Sequence, residues 1–129
     1  MGIAHASLTL ANPVRRDLDA IEVKALADTG AVHLCIPPHV ALQLDLKELE
    51  KREVTLADGS KRVVSYVGPI EVQFGNRRCY TGAMIMGDEV LLGAIPMEDM
   101  DLVVRPTTRE VTVNPASPNL PSSLAKGLQ

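Results

Sequence analysis

The fold of this chain is indicated most clearly by one segment, Ala25-Leu26-Ala27-Asp28-Thr29-Gly30-Ala31-Val32-His33-Leu34-Cys35-Ile36. Upstream, apolar residues recur at every second position from Ile21 to Ala27, which predicts a strand over residues 20–27. Downstream, residues 32–36 are apolar and β-prone, which predicts a second strand that stops at two prolines. Asp28 therefore lies at the end of an apolar strand, where its neighbours partly desolvate a carboxylate, and Gly30 lets another backbone approach closely. Asp28 is thus a candidate catalytic residue, although an Asp-Thr-Gly tripeptide is also compatible with a plain turn.

The rest of the chain predicts an all-β domain built from many short elements. A hairpin is expected through Asp58-Gly59, a dipeptide that readily adopts the positive φ of a tight turn, and a second one across Gly75-Asn76. Gly68-Pro69 is expected to interrupt the strand pattern between them, and the charged run 47–52 is expected to be a solvated loop or helix end. The predicted strands are 6–11, 53–57, 61–66, 70–74, 78–86, 90–92, 102–104 and 110–113, and the predicted helices are 39–44 and 95–100. This pattern favours a closed or folded-over sheet.

The composition is that of one small globular domain with an aliphatic core. The chain has 129 residues, 46% of them apolar, with two Tyr, one Phe and no Trp. A net charge of −3 and scarce aromatics argue against a nucleic-acid partner. No apolar run is long enough to cross a bilayer, and residues 1–10 do not resemble a secretory signal. We therefore expect no membrane partner and a cytoplasmic location.

The two cysteines, Cys35 and Cys79, are too few for a disulfide framework and are expected to be buried small hydrophobes. His33, Cys35 and His39 lie close together in the sequence, but their spacing does not fit paired zinc ligands. No metal and no other cofactor is expected.

The order of these parts resembles that of the retropepsin-like (retroviral-type) aspartic proteases, specifically their small bacterial single-domain members. The resemblance covers residues 6–113 and rests on Asp28-Thr29-Gly30-Ala31, on a hairpin about thirty residues later, and on Val90-Leu91-Leu92-Gly93 before a short helix. It implies an all-β acid-protease half-barrel with one or two short helices, residues 1–113, followed by a Pro/Ser-rich tail, residues 114–129. It also implies that the hairpin 53–66 is a flap that closes over substrate.

Only one such motif is present, so a catalytic dyad requires a homodimer with one Asp28 from each subunit. The resemblance implies an aspartic endopeptidase that hydrolyses a peptide or protein substrate by water attack, with Asp28, Thr29 and Gly30 as the catalytic residues. Substrate binding is then expected at three segments, Ala31-Val32-His33, Ala57-Asp58-Gly59 and Leu92-Gly93. Ala31 cannot donate a hydroxyl to the carboxylate, which predicts an activity optimum in mild rather than strong acid.

The chain also departs from the retroviral pattern. Val32 and His33 stand where the viral enzymes have acidic residues that bind the substrate backbone, and Ala94 replaces an arginine. The hairpin tip, residues 57–61, is polar rather than glycine-rich. These departures support an alternative, a dimeric peptide-binding or adaptor module with little turnover. A third alternative is a monomeric β-domain in which the motif is only a turn.

Overall fold

The computed structural model describes residues 4–125, and over these residues the chain forms nine strands and two short helices. The strands are β1 Ala4–Ala11, β2 Ile21–Ala27, β3 Leu34–Ile36, β4 Lys47–Thr55, β5 Lys61–Phe74, β6 Arg77–Ile85, β7 Leu91–Leu92, β8 Leu102–Arg105 and β9 Glu110–Val113. The helices are α1 Pro38–Gln43 and α2 Ala94–Asp99. The all-β prediction is confirmed, as are both helices and both hairpin turns, with Gly59 at φ 86° and Gly75 at φ 55°. Neither helix in this part of the chain is long and apolar enough to span a membrane.

The strands form one sheet that closes on itself. Their order is β4-β5-β6-β3-β7-β2-β1-β9-β8, and β1 also pairs with β5 from Thr9 opposite Gln73 to Ala11 opposite Glu71. This extra pairing closes a barrel of six strands, β1, β2, β7, β3, β6 and β5. Strand β4 and the first part of β5 form the hairpin that turns at Asp58-Gly59, called the first hairpin below, and β4 is its arm outside the barrel. Strands β8 and β9 continue the sheet beyond β1.

The core is aliphatic, as the scarcity of aromatic residues predicts. Leu8 and Leu10 on β1 and Ala25 and Ala27 on β2 are buried, so the predicted period-two alternation is confirmed. Both cysteines are free and buried, also as predicted, and burial raises the pKa of both thiols. A second, smaller apolar cluster around Cys35, Val64 and Met84 lies beneath the first hairpin.

Two expectations about the chain between residues 47 and 74 are wrong. Residues 47–52 are not a loop or helix end but the first two thirds of β4, which pairs with β5. Most of their side chains are exposed and joined in ion pairs, so neither face shows the apolar alternation that predicts a strand. Gly68-Pro69 does not interrupt the strand either, because a register shift between Val67 and Ile70 accommodates the proline within the 14-residue strand β5.

A smaller difference concerns the strand after the Asp-Thr-Gly motif. The prediction starts it at Val32, whereas β3 begins at Leu34. The backbone of residues 31 and 32 is instead hydrogen-bonded to α2, which removes it from the sheet ladder.

The first residues after β9 fold back onto the domain through Asp101. Its carboxylate accepts hydrogen bonds from the side chains of Ser117 and Asn114 and from the backbone N–H of Ser122. These bonds, that of Ser117 foremost, lower the pKa of Asp101 to about 2. The fully buried Arg77 donates to the carbonyl oxygen of Ser117. The predicted tail therefore begins as a segment held by specific contacts, and residues 126–129 lie outside the described part of the chain.

Candidate active site

The Asp28 loop is a tight turn at the end of β2. The backbone N–H of Asp28 donates to the carbonyl oxygen of Leu92 at 3.1 Å, and that of Ala31 donates to the carbonyl oxygen of Asp28 at 3.1 Å. The backbone N–H of Gly30 donates to Asp28 Oδ1 at 2.8 Å, which orients the carboxylate. A Cβ at position 30 would lie 3.1 Å from the same oxygen, so glycine leaves room for the carboxylate in this orientation. Thr29 and Gly30 are exposed and Asp28 is half-buried, which leaves the loop accessible.

The loop is supported from behind by β7 and α2. The backbone N–H groups of Ala94 and Ile95 donate to the carbonyl oxygens of residues 31 and 32, at 2.8 and 2.9 Å. A Cβ at Gly93 would lie 2.4 Å from the carbonyl oxygen of His33, so glycine is required for this close approach. Leu92 is fully buried. The structure thus places Leu92 and Gly93, expected at the substrate site, directly behind the loop.

A cleft of about 390 Å³ separates the Asp28 loop from the first hairpin. One wall is the loop segment Gly30–His33, which includes three of the predicted substrate-binding residues, Ala31, Val32 and His33. The opposite wall is the end of β4, and the floor is apolar and sulfur-rich. The remaining lining residues are Glu53, Val54, Thr55, Cys35, Met84, Met86 and Leu91.

The hairpin tip contributes differently from the expectation drawn from the resemblance. Ala57, Asp58 and Gly59 are not among the residues that line the cleft. The tip is closed on itself, because the carboxylate of Asp58 accepts a hydrogen bond from the backbone N–H of Ser60 at 2.9 Å. Sequence reasoning missed Glu53, Val54 and Thr55 as wall residues, although alternation along the hairpin, with Val54 facing inward, carried that signal.

An aromatic and cationic group borders the cleft at His33. The His33 ring meets the ring of Tyr66 edge to face, with centroids 6.2 Å apart and an interplanar angle of 72°. The guanidinium carbon of Arg52 lies 3.8 Å from the centroid of the same Tyr66 ring. Burial, and next the charge of Arg52, lower the pKa of His33 below 6.5. Among the described residues, no group of three His, Cys, Asp or Glu side chains could hold a metal ion.

Solved structures that align with this chain include three proteins described as proteases or protease-like. The retroviral protease-like domain of Ddi1 from Leishmania major aligns over 99% of both chains with a TM-score of 0.58 and 14% identity. The Simian Foamy Virus (mac) protease aligns over 70% of this chain and 92% of its own, with a TM-score of 0.45 and 18% identity. A retropepsin-like aspartic protease from Rickettsia conorii aligns over 81% of this chain and 90% of its own, with a TM-score of 0.45 and 16% identity. The first of these establishes the fold as retropepsin-like.

Residues 14–115 match the aspartyl protease family. The match spans most of the chain, including the Asp28 loop and the first hairpin. The chain therefore belongs to the aspartyl protease family, as the resemblance implied. None of the curated proteins compared with it matches significantly.

Proposed function

We propose that the protein is a homodimeric aspartic endopeptidase in which water is activated between two Asp28 carboxylates, one from each subunit. The observation that carries the proposal is the Asp28 carboxylate itself, oriented by the N–H of Gly30 on an accessible loop beside a cleft wide enough for a peptide side chain. Membership of the aspartyl protease family supports the reaction class. The expected substrate is a peptide segment that adopts an extended conformation between the loop and the hairpin.

The chemistry requires two carboxylates that share one proton. One carboxylate accepts a proton from the attacking water while the other protonates the carbonyl oxygen of the scissile bond. One subunit supplies one Asp-Thr-Gly motif, so the second Asp28 comes from the partner across a two-fold axis. Val32 and Ile95, which are 55% and 47% exposed, flank the loop and offer it an apolar surface for that contact.

A subunit-mixing experiment tests the shared site. Cleavage of an unbiased peptide library is measured between about pH 4 and pH 7, and then with increasing amounts of Asp28→Asn chain exchanged into wild-type protein at constant total concentration. For a shared dyad, activity falls with the square of the wild-type fraction, to about a quarter in an equal mixture, because mixed dimers are inactive. Activity that falls only to about a half would place the complete site in one chain and contradict the proposal.

Glu53→Gln is the matched control, because Glu53 is the carboxylate that lines the cleft. A pair formed by Asp28 and Glu53 within one chain would be abolished by this change, whereas the proposed dyad retains turnover. A statine-type inhibitor, which mimics the tetrahedral intermediate, should block the wild-type reaction.

The second candidate is the dimeric peptide-binding or adaptor module. The polar, self-closed hairpin tip, with Asp58 bonded to Ser60, favours it because such a tip offers little apolar surface for closing over a substrate during turnover. A confirmed dimer that binds library peptides without cleaving them, equally well as wild type and as Asp28→Asn, would establish this function instead.

A further inference from the structure

Tyr66 on β5 joins the two walls of the cleft. The guanidinium of Arg52, from β4, lies over its ring, and the His33 imidazole makes an edge-to-face contact with the same ring. Arg52 is itself held, because its Nε donates to Glu50 Oε2 at 2.6 Å. The three side chains therefore form a row of contacts that runs from the hairpin to the Asp28 loop.

Tyr66, the middle member of this row, is seated in a slot in β6. A Cβ at Gly82 would lie 2.3 Å from Cζ and 2.4 Å from Cε2 of Tyr66, so the ring lies directly over the glycine backbone. Tyr66 also packs against the small apolar cluster beneath the hairpin. Its ring position is consequently fixed by the barrel wall.

The loop end is equally constrained. The backbone of His33 is pressed against Gly93, and the preceding carbonyl oxygen accepts the hydrogen bond from Ile95. The main chain of His33 thus belongs to the rigid Asp28 loop, whereas its imidazole contacts the hairpin through Tyr66.

We propose that His33 is a positioning residue of the peptidase: its neutral imidazole, packed against Tyr66, holds the hairpin at the correct distance from the Asp28 loop, and protonation loosens this contact. The kinetic part of this inference rests on the proposed function, but the contact itself does not. Protonation would place a charge in a partly buried position beside the Arg52 guanidinium, which is opposed first by the loss of solvation and then by repulsion between the two cations.

Among the described residues, no carboxylate forms an ion pair with the imidazole that would favour its protonated form. Glu50 pairs with Arg52 and offsets part of its charge, but burial and the remaining effect of Arg52 still lower the pKa of His33. Glu53, across the cleft, is exposed and faces Lys61 at 3.8 Å, Asp28 on the same loop accepts the N–H of Gly30, and burial keeps the Cys35 thiol neutral by raising its pKa. The lowered pKa of His33 agrees with this balance. Since the native imidazole is less basic than the unfolded one, the contact is complete above about pH 6.5 and is lost as pH falls through the native pKa.

The contact can be tested by NMR without any activity. In a Tyr80→Phe background the ring signals of Tyr66 are the tyrosine signals that remain, since the chain has two tyrosines. These signals should titrate between about pH 4 and pH 8 with the same midpoint as the His33 imidazole, below 6.5. The titration should vanish in His33→Gln and persist in His39→Gln, a control at an exposed histidine of α1. Tyr66 signals that do not change with pH, or that still titrate in His33→Gln, would overturn the inference.

Kinetics then test the consequence for catalysis. As pH falls through the His33 titration, the KM of the wild-type protein should rise by about threefold to tenfold, the equivalent of losing one aromatic pair, beyond any change in kcat. His33→Phe keeps an aromatic ring that cannot be protonated, so its KM, whatever its value at neutral pH, should not rise as the pH falls. If the NMR result is as expected but no peptide is cleaved at any pH, the peptidase proposal fails and the contact stands. If peptides are cleaved with the same pH-dependent KM in His33→Phe and wild type, His33 has no positioning role.

Discussion

Replacing Gly82 by alanine should destabilise the protein only while Tyr66 keeps its full ring. The new Cβ would lie within 2.5 Å of three atoms of that ring, so the ring must leave its slot. Overpacking of this kind costs about 1–3 kcal/mol. Against this, alanine is about 0.5–1 kcal/mol more favourable than glycine inside a strand, because it loses less conformational entropy on folding. The expected net loss in the free energy of unfolding is at most about 2.5 kcal/mol.

The sign should reverse in a Tyr66→Leu background. Leucine lacks Cζ, Cε2 and the hydroxyl oxygen, the atoms that a Cβ at position 82 would meet, yet it keeps apolar area in the cluster. Gly82→Ala should then stabilise the protein by about 0.5–1 kcal/mol. The coupling energy between the two positions is therefore about 1–3 kcal/mol, far above that of independent sites.

Urea unfolding followed by circular dichroism on the four proteins of this cycle measures the coupling. All four are compared at one protein concentration, because the proposed dimer would make apparent stability depend on concentration. The m values should agree across the cycle, so that differences in midpoint report stability. If Gly82→Ala changes the free energy of unfolding equally in both backgrounds, within about 0.5 kcal/mol, the contact between Tyr66 and Gly82 does not constrain the hairpin.

Three further predictions concern the support of the Asp28 loop and the C-terminal segment. Gly93→Ala should cost about 2–3 kcal/mol and reduce the proposed peptide cleavage, since its Cβ would strike the backbone of His33 rather than a side chain that can rotate away; an unchanged urea midpoint would contradict it. Leu92→Ala should cost about 2–5 kcal/mol in the same unfolding assay, against less than about 0.5 kcal/mol for the control Leu42→Ala, because Leu92 is fully buried and Leu42 is 83% exposed. Asp101→Asn should lower thermal stability at pH 7 but not near pH 2, because a native pKa of about 2 means that the unfolded state binds the proton first as pH falls; a deficit that is the same at both pH values would refute this reasoning.

The sequence predicts best those features that depend on neighbouring residues. Alternation from Ile21 to Ala27 locates β2, and the dipeptide Asp58-Gly59 locates the hairpin turn, because a strand face and a positive φ are local properties. The loop wall of the cleft, Gly30–His33, is contiguous with the motif and is predicted with it.

The features that escape prediction depend on pairing with distant segments. Residues 47–52 become part of β4 because β5 lies beside them, although their own charges favour a solvated loop. Asp101 gathers the C-terminal segment because β8 and β9 bring Asn114 next to it, and nothing in a Pro/Ser-rich sequence indicates which carboxylate will accept those hydrogen bonds. The alternation around Val54 indicates which side of the hairpin faces inward, but the sequence does not indicate that Glu53, Val54 and Thr55 lie opposite the Asp28 loop.

Gly82 and Gly93 lie between these two cases and show how the cleft is built. Gly82 lies inside β6, where a glycine lowers stability unless another group uses the space that its missing side chain leaves, and Gly93 directly precedes α2 and leaves similar space. At position 82 that group is the Tyr66 ring, which holds the hairpin wall, and at position 93 it is the backbone of His33, which belongs to the loop wall. Because His33 also meets Tyr66, the two glycines fix opposite ends of one chain of contacts across the cleft. The width of the cleft beside Asp28 is therefore set by two absent side chains, and a single methyl group at either position should displace one wall relative to the other.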